Sequence, residues 1–269
     1  MSERIKVVVV GAAGKMGVAV LQAVSQAPDM ELVGAIDRME QPCRTVDVAG
    51  RDCTDLPIEG RLGEVLDRVK PDVMIDFTQA SSAPEHAVSG LKRGVAAIIG
   101  TSGLSTSDVA SLRQATRELG TPAALIPNFA IGAVLMMRFA EMAAAWMPHV
   151  EIIDYHHAGK LDAPSGTALH TAECIAKVRE VKHLGRALPT DKYPGARGAK
   201  VKDIQLHSVR LPGFVAHQDV IFSGDGETLT LRHDSIDRIS FMEGVKLVVR
   251  KIRSEQGLVV GLDRFMFPD

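Results

Sequence analysis

The sequence predicts an α/β protein: a Rossmann-like domain built on a parallel sheet, followed by a smaller α+β domain with a mixed or antiparallel sheet. Three observations predict it. Short β-branched runs alternate with helix-compatible stretches through the first half, a glycine-rich turn follows the first run directly, and the pattern changes after Asn128. Single domains usually run to about 100–200 residues, so a chain of 269 residues favours two.

In the first half the predicted strands are 5–10, 31–36, 73–77, 96–99 and 123–126, whose continuous apolar character suits burial on both faces of a parallel sheet. Helices are predicted at 16–27, 62–70, 84–93 and 107–119, the last with Ser107 or Asp108 as its cap. Beyond Asn128 the pattern predicts a Met- and Ala-rich helix at 131–146, a strand at 150–155 and a second helix at 165–180. Alternating strands follow at 203–210, 217–222 and 227–233, the last two joined by the turn Ser223-Gly-Asp-Gly226. Residues 185–202, rich in Gly, Pro and charge, predict a long loop: a surface excursion, a lid or an intersubunit arm. A helical repeat of Ile239, Met242, Val245, Val248, Val249 and Ile252 predicts a helix at 238–252, and 257–262 a last strand. These two return to the first domain, so the domains are expected at 1–127 with 238–269, and at 128–237.

Gly11, Gly14 and Gly17 recur at three-residue spacing directly after the first strand and before a helix. Glycine permits the tight turn and a close backbone approach, and the helix start offers N–H donors to a pyrophosphate. Ala13 stands where the second glycine of the familiar G-x-G-x-x-G would be. Asp37 ends the second strand 20 residues beyond Gly17, where a ribose hydroxyl acceptor belongs. Arg38 beside it is suited to a 2′-phosphate or to stacking on adenine, so both NADH and NADPH stay open. The turns Asp76-Phe77-Thr78 and Gly100-Thr101-Ser102 end later strands, on the side where open α/β sheets bind ligands.

Composition narrows the partners. Lys and Arg number 31 against 33 Asp and Glu, a formal net charge of −2 that offers no basic field for nucleic acid or anionic lipid. The apolar runs at 7–10 and 96–99 fall far short of the ~20 residues of a membrane span. The first residues lead straight into a strand-like run without an apolar signal core, which points to the cytosol. Cys43, Cys53 and Cys174 match no zinc spacing and are expected to be reduced, structural thiols.

The most informative stretch runs from Glu151 to Ala168. A strand delivers His156 and His157, a short loop holds Lys160, and Pro164-Ser165-Gly166-Thr167 opens a helix whose free N–H groups and hydroxyls suit a carboxylate. Lys160 and a nearby histidine supply charge and a proton. Adjacent strand histidines point to opposite faces and have no third ligand at metal spacing, so no metal is expected. Tyr155 and Lys160 are five positions apart, not the one helical turn that short-chain dehydrogenase chemistry needs.

GAAGKMG, the Phe77-Thr78 and Gly100-Thr101-Ser102 turns, PNFAIG and above all HHAGKLDAPSGTA resemble the 4-hydroxy-tetrahydrodipicolinate reductase (dihydrodipicolinate reductase) family of bacterial lysine and diaminopimelate biosynthesis. The likeness spans essentially the whole chain, including HSVRLPG, VAHQDVIF and LRHDSIDRISF. It implies a homotetramer whose subunits reduce a cyclic unsaturated dicarboxylate with NADH or NADPH, the 128–237 domain serving substrate binding and tetramerisation. It implies His156 as general acid/base, Lys160 as proton donor, and His157, Ser165, Gly166 and Thr167 as substrate ligands. On the cofactor side it implies Gly11, Ala12, Ala13, Gly14, Lys15, Met16, Asp37, Arg38, Gly100, Thr101, Ser102, Ile126, Pro127, Asn128 and Phe129, to which Phe77 and Thr78, from their strand-end turn, and Arg238 are added. Asp154 departs from the Glu that usually precedes the histidine pair in the family. An oxidoreductase acting on another small dicarboxylate and a non-catalytic redox sensor are the alternatives to this reading.

Overall fold

A computed structural model describes residues 3–38, 42–179 and 192–267. The chain divides into two compact units, Met1–Ala130 with Arg238–Asp269, and Ile131–Asp237, so Asn128 and Phe129 lie with the first.

The first unit begins β1 (Ile5–Val10), α1 (Lys15–Gln26), β2 (Met30–Ile36), β3 (Cys43–Arg44), α2 (Thr45–Ala49) and β4 (Pro57–Glu59). It continues α3 (Leu62–Val69), β5 (Val73–Asp76), α4 (Ala83–Leu91), β6 (Ala96–Ile99), α5 (Thr106–Leu119) and β7 (Ala123–Leu125). Its sheet runs β13-β7-β6-β5-β1-β2-β4-β3, where β13 (Leu258–Val260) comes from the returning segment. Every neighbouring pair is parallel except β3 with β4. Chain order reverses at β1, which has β2 on one side and β5 on the other, so the turn after β1 opens at the switch point where such sheets bind ligands. Val7 to Val10 are at most 1% exposed, and each such valine stabilises the core by about 1.5–3 kcal/mol.

Three details differ from the sequence expectation. The segments β3, α2 and β4 are too short to carry a periodic signal, and β4 starts at a proline. The cap of α5 is Ser105 instead of Ser107 or Asp108: its Oγ accepts from the Asp108 N–H at 3.1 Å while Asp108 Oδ2 accepts from the Ser105 N–H at 2.9 Å. This reciprocal capping box satisfies two free donors and moves the helix start one residue back, from 107 to Thr106. The return is not one helix over 238–252 but a 3₁₀ turn (Arg238–Phe241), α8 (Met242–Lys251) and a second 3₁₀ turn (Ile252–Ser254), before β13 and α9 (Asp263–Met266).

The second unit comprises α6 (Ile131–Ala144), β8 (His149–His156), α7 (Gly166–Val178), β9 (Ala199–Val201), β10 (Ile204–Arg210), β11 (Ala216–Gly224) and β12 (Glu227–Ser235). Its sheet is mixed: the order is β12-β11-β8-β10-β9, with β8 and β10 parallel and the other pairs antiparallel. The loop expected at 185–202 is shorter at its far end, because 199–201 pair with β10 as β9; its positions 185–191 lie outside the described residues. Along β8 side chains alternate in burial. Val150 and Ile152 join Leu206, Val220, Phe222 and the inner faces of α6 and α7 in one core. Asp154 continues that inward row, which is why a carboxylate ends up 1% exposed at the margin of an apolar layer.

Candidate active site

In the first unit the turn after β1 is shaped by glycine. Gly11 has φ of +80°, and a Cβ there would stand 2.9 Å from the Phe77 carbonyl oxygen. A Cβ at Gly17 would overlap the Gly11 carbonyl, so both positions need glycine for the loop to pack under α1. Gly14 caps α1 without a side chain, and the exposed Gly14 and Lys15 with the half-buried Met16 form its mouth. Ala12 is buried beneath the turn. The Ala13 N–H donates to Asp37 Oδ2 at 2.8 Å, and the Arg38 N–H donates to Asp37 Oδ1 at 2.7 Å. Asp37 therefore pins the glycine turn to the end of β2.

Of these residues Gly11, Gly14, Asp37 and Arg38 border a cavity of about 320 Å³, which Thr78 and His86 also line. Behind it lies Asp76, fully buried, which accepts from the Thr78 N–H at 2.8 Å, the Thr78 hydroxyl at 2.6 Å and the Thr101 hydroxyl at 3.4 Å, and pairs with His86 Nδ1 at 2.8 Å. The Phe77 ring packs on Phe129 at 5.5 Å between centroids, and a Cβ at Gly100 would strike it. Ile126 is buried, its N–H donating to the Ile99 carbonyl, and Asn128 Oδ1 accepts from the Ala130 N–H at 2.9 Å. Ser102, Pro127 and Arg238 are exposed. A cavity at the switch strand, a turn that only glycine fits and an acid at the end of β2 suit a dinucleotide.

In the second unit one buried carboxylate organises the segment around His156. Asp154 Oδ2 pairs with His156 Nδ1 at 3.1 Å and accepts from Arg210 Nη2 at 3.0 Å and from the Ser165 N–H at 3.3 Å; its Oδ1 accepts from the Ser208 hydroxyl at 2.5 Å. Burial alone would push this carboxyl up, but the hydrogen bonds from His156 and Ser208 and the Arg210 charge outweigh it, and it is lowered to about 2. Arg210 Nη2 also donates to the Asp162 carbonyl at 2.8 Å, and Lys160 Nζ donates to the Asp162 carboxylate at 2.7 Å. The Lys160 hydrogen bond in turn lowers the Asp162 carboxyl. His156, Lys160 and the mouth of α7 are thus tied into one network.

Ser165 caps α7, its hydroxyl accepting from the Ala168 N–H at 3.2 Å, so that hydroxyl is committed to the helix while Gly166 and Thr167 form the mouth. His157 is exposed, and its carbonyl accepts from the Lys160 N–H in the turn that presents the lysine. Sequence reasoning gave no role to Ser208, Arg210 or His86. The first two had a signal: Ile204, Leu206, Ser208 and Arg210 alternate on one strand face, and polar groups continuing an apolar row imply a buried partner.

The dinucleotide turn of the first unit and the cationic, proton-bearing cradle of the second define an NAD(P)-dependent oxidoreductase. Comparison with known proteins gives the particular kind. The family pattern described as dihydrodipicolinate reductase, N-terminus, matches residues 5–129, and the one described as dihydrodipicolinate reductase, C-terminus, matches 132–266. The chain is 46% identical over 265 residues to the 4-hydroxy-tetrahydrodipicolinate reductase of Bacillus pumilus, covering 98% of this chain and 99% of that one. To the enzyme of the same name from Listeria monocytogenes it is 44% identical over 261 residues, covering 97% and 99%. Among solved structures, dipicolinate-bound dihydrodipicolinate reductase from Paenisporosarcina sp. TG-14 superposes with a TM-score of 0.84 at 38% identity, covering 97% of this chain and 99% of that one. An amine dehydrogenase from Mycobacterium smegmatis, at 15% identity and a TM-score of 0.69, shares the fold. The chain belongs to the dihydrodipicolinate reductase family.

Proposed function

We propose that this protein reduces 4-hydroxy-tetrahydrodipicolinate, by way of dihydrodipicolinate, to tetrahydrodipicolinate with NADH or NADPH. The single observation that carries the reading is the joining of His156, Lys160 and the α7 mouth through Asp154 and Arg210, in a chain whose two halves both match this family. The glycine turn and the α1 mouth would hold the pyrophosphate of the coenzyme and Asp37 its ribose, with Phe77, Thr78, Gly100 to Ser102, Ile126 to Phe129 and Arg238 along the rest. Bound there, the coenzyme supplies a hydride to a conjugated C=C–C=N system.

The protein's own residues do the remainder. Negative charge left at the far end of that system must be quenched by a positioned acid. Lys160 Nζ, aided by His156, delivers the proton. The two carboxylates of the substrate need separate anion sites: the Gly166–Thr167 mouth of α7, with Ser165 holding its shape, takes one, and His157 with Lys160 takes the other. Lys160 then exchanges Asp162 for a substrate carboxylate as the ligand enters.

We further infer a cytoplasmic homotetramer. The sheet face turned away from α6 and α7 alternates half-buried Ile153, Val209 and Ile221 with Tyr155, His217 and Asp219, a surface suited to burial against another copy. Cys43, Cys53 and Cys174 are free thiols, in keeping with a reducing compartment. Among the described residues no helix is long and apolar enough to cross a membrane.

The test supplies pyruvate and aspartate semialdehyde through the upstream synthase and follows the reduced nicotinamide absorbance. Oxidation that depends on both the synthase and this protein is expected. No oxidation above the synthase-only rate would overturn the assignment.

A further inference from the structure

In the second unit's site Asp154 meets four polar partners, His156, the Ser165 N–H, Ser208 and Arg210. A carboxylate 1% exposed costs several kcal/mol unless it is paired and hydrogen-bonded on both oxygens. Here the partners come from three segments: His156 further along β8, Ser208 and Arg210 on β10, and the Ser165 N–H at the start of α7. Arg210 uses the same Nη2 for Asp154 and for the Asp162 carbonyl, so the loop that carries Lys160 is braced against the same point.

We propose that Asp154 is the positioning residue of this site, holding the His156 ring by a proton on Nδ1 so that Nε2 is the nitrogen left for chemistry, and fixing the Lys160 loop through Arg210. Asp154 itself touches no substrate atom in this scheme. An imidazole whose Nδ1–H is anchored to a carboxylate presents a single nitrogen to its reaction partner, and imidazolium formed during turnover is stabilised by the carboxylate charge. Parallel pairing of β8 with β10 sets Ser208 opposite Asp154 and Arg210 opposite His156, so the clamp is built into strand register and not into a loop.

The inference rests on the reductase reading, and the experiment separates their failures. In full-length wild-type protein, nitrogen-15 spectra of the imidazoles report the His156 tautomer without any substrate. The expected result is a ring that carries a proton on Nδ1; a ring whose Nδ1 is bare overturns the inference whatever the activity. In the coupled assay, Asp154→Asn is expected to lower kcat about 10²-fold while the Kd for pyridine-2,6-dicarboxylate moves less than about tenfold, because the anion mouth keeps its N–H donors. Asp154→Glu, which restores the charge, is expected to recover kcat to within about tenfold of wild type. A kcat for Asp154→Asn within about threefold of wild type, or equal losses in the Asn and Glu variants, overturns it. A wild-type protein without reductase activity defeats the functional reading alone.

Discussion

The two units each bury an aspartate beside a histidine, and the difference between the pairs shows how each site works. Asp76, at the end of β5, is surrounded by two threonine hydroxyls, a backbone N–H and His86. Asp154, on β8, has His156, a serine hydroxyl, a helix N–H and the Arg210 guanidinium. Asp76 stiffens a turn that borders a cavity also lined by Gly11, Gly14, Gly60 and the Asp37–Arg38 pair. Asp154 instead ties together a histidine, the loop that carries Lys160 and the start of α7. On the proposed reading the first unit recognises its ligand through the glycine turn and the Asp37–Arg38 pair, the second through side-chain charge.

The largest effect that tests this contrast is at Lys160. Replacing it by Ala removes the proposed proton donor and one proposed anion contact but leaves the glycine turn of the other unit untouched. Lys160→Ala is expected to lower turnover by ~10²–10⁴, about 3–5.5 kcal/mol of barrier, with NADH affinity by fluorescence titration unchanged. Loss of turnover below tenfold, or a parallel loss of NADH affinity, would break the division of labour.

A middling effect concerns stability and belongs to Asp154. Its carboxyl is held at about 2 against an ordinary 3.8. A group depressed in the folded state contributes stability that is in full above the unfolded value and is lost as pH falls through the folded one. The contribution, about 2 kcal/mol, is therefore present above about pH 4 and disappears between about pH 4 and 2. Tm measured down this range in wild type and Asp154→Asn should show a gap that closes as the acid is reached; a gap independent of pH would mean the residue matters through shape alone.

Much of this was legible in the residues. Strands β1, β2, β5, β6 and β7 announce themselves because burial on both faces demands unbroken apolar runs, and the α7 mouth does so by Pro164 and Ser165 ahead of a helical pattern. The Asp154 clamp was not legible. Asp154 and Arg210 are 56 positions apart, and their meeting depends on β10 pairing parallel with β8 in one register, which no local pattern specifies. His86 is similar: on α4 it reads as a surface helix residue until β5 brings Asp76 beneath it. The α5 cap was missed for a different reason, since Ser105 and Ser107 are both good caps and only the reciprocal bond with Asp108 decides between them.

The smallest effect sharpens the first unit's side of the comparison. Asp37 already holds the turn through the Ala13 N–H, whereas Arg38 is exposed at the edge of the same cavity and contributes only its charge. NADPH differs from NADH by a 2′-phosphate, which a guanidinium recognises and a carboxylate repels. Arg38→Ala is therefore expected to weaken NADPH about tenfold and NADH less than about threefold, since an exposed charge pair contributes on the order of 1 kcal/mol. Both values come from one fluorescence titration series with the two coenzymes. Equal weakening would make Arg38 a stacking platform for adenine, and coenzyme recognition would then rest on shape throughout this unit.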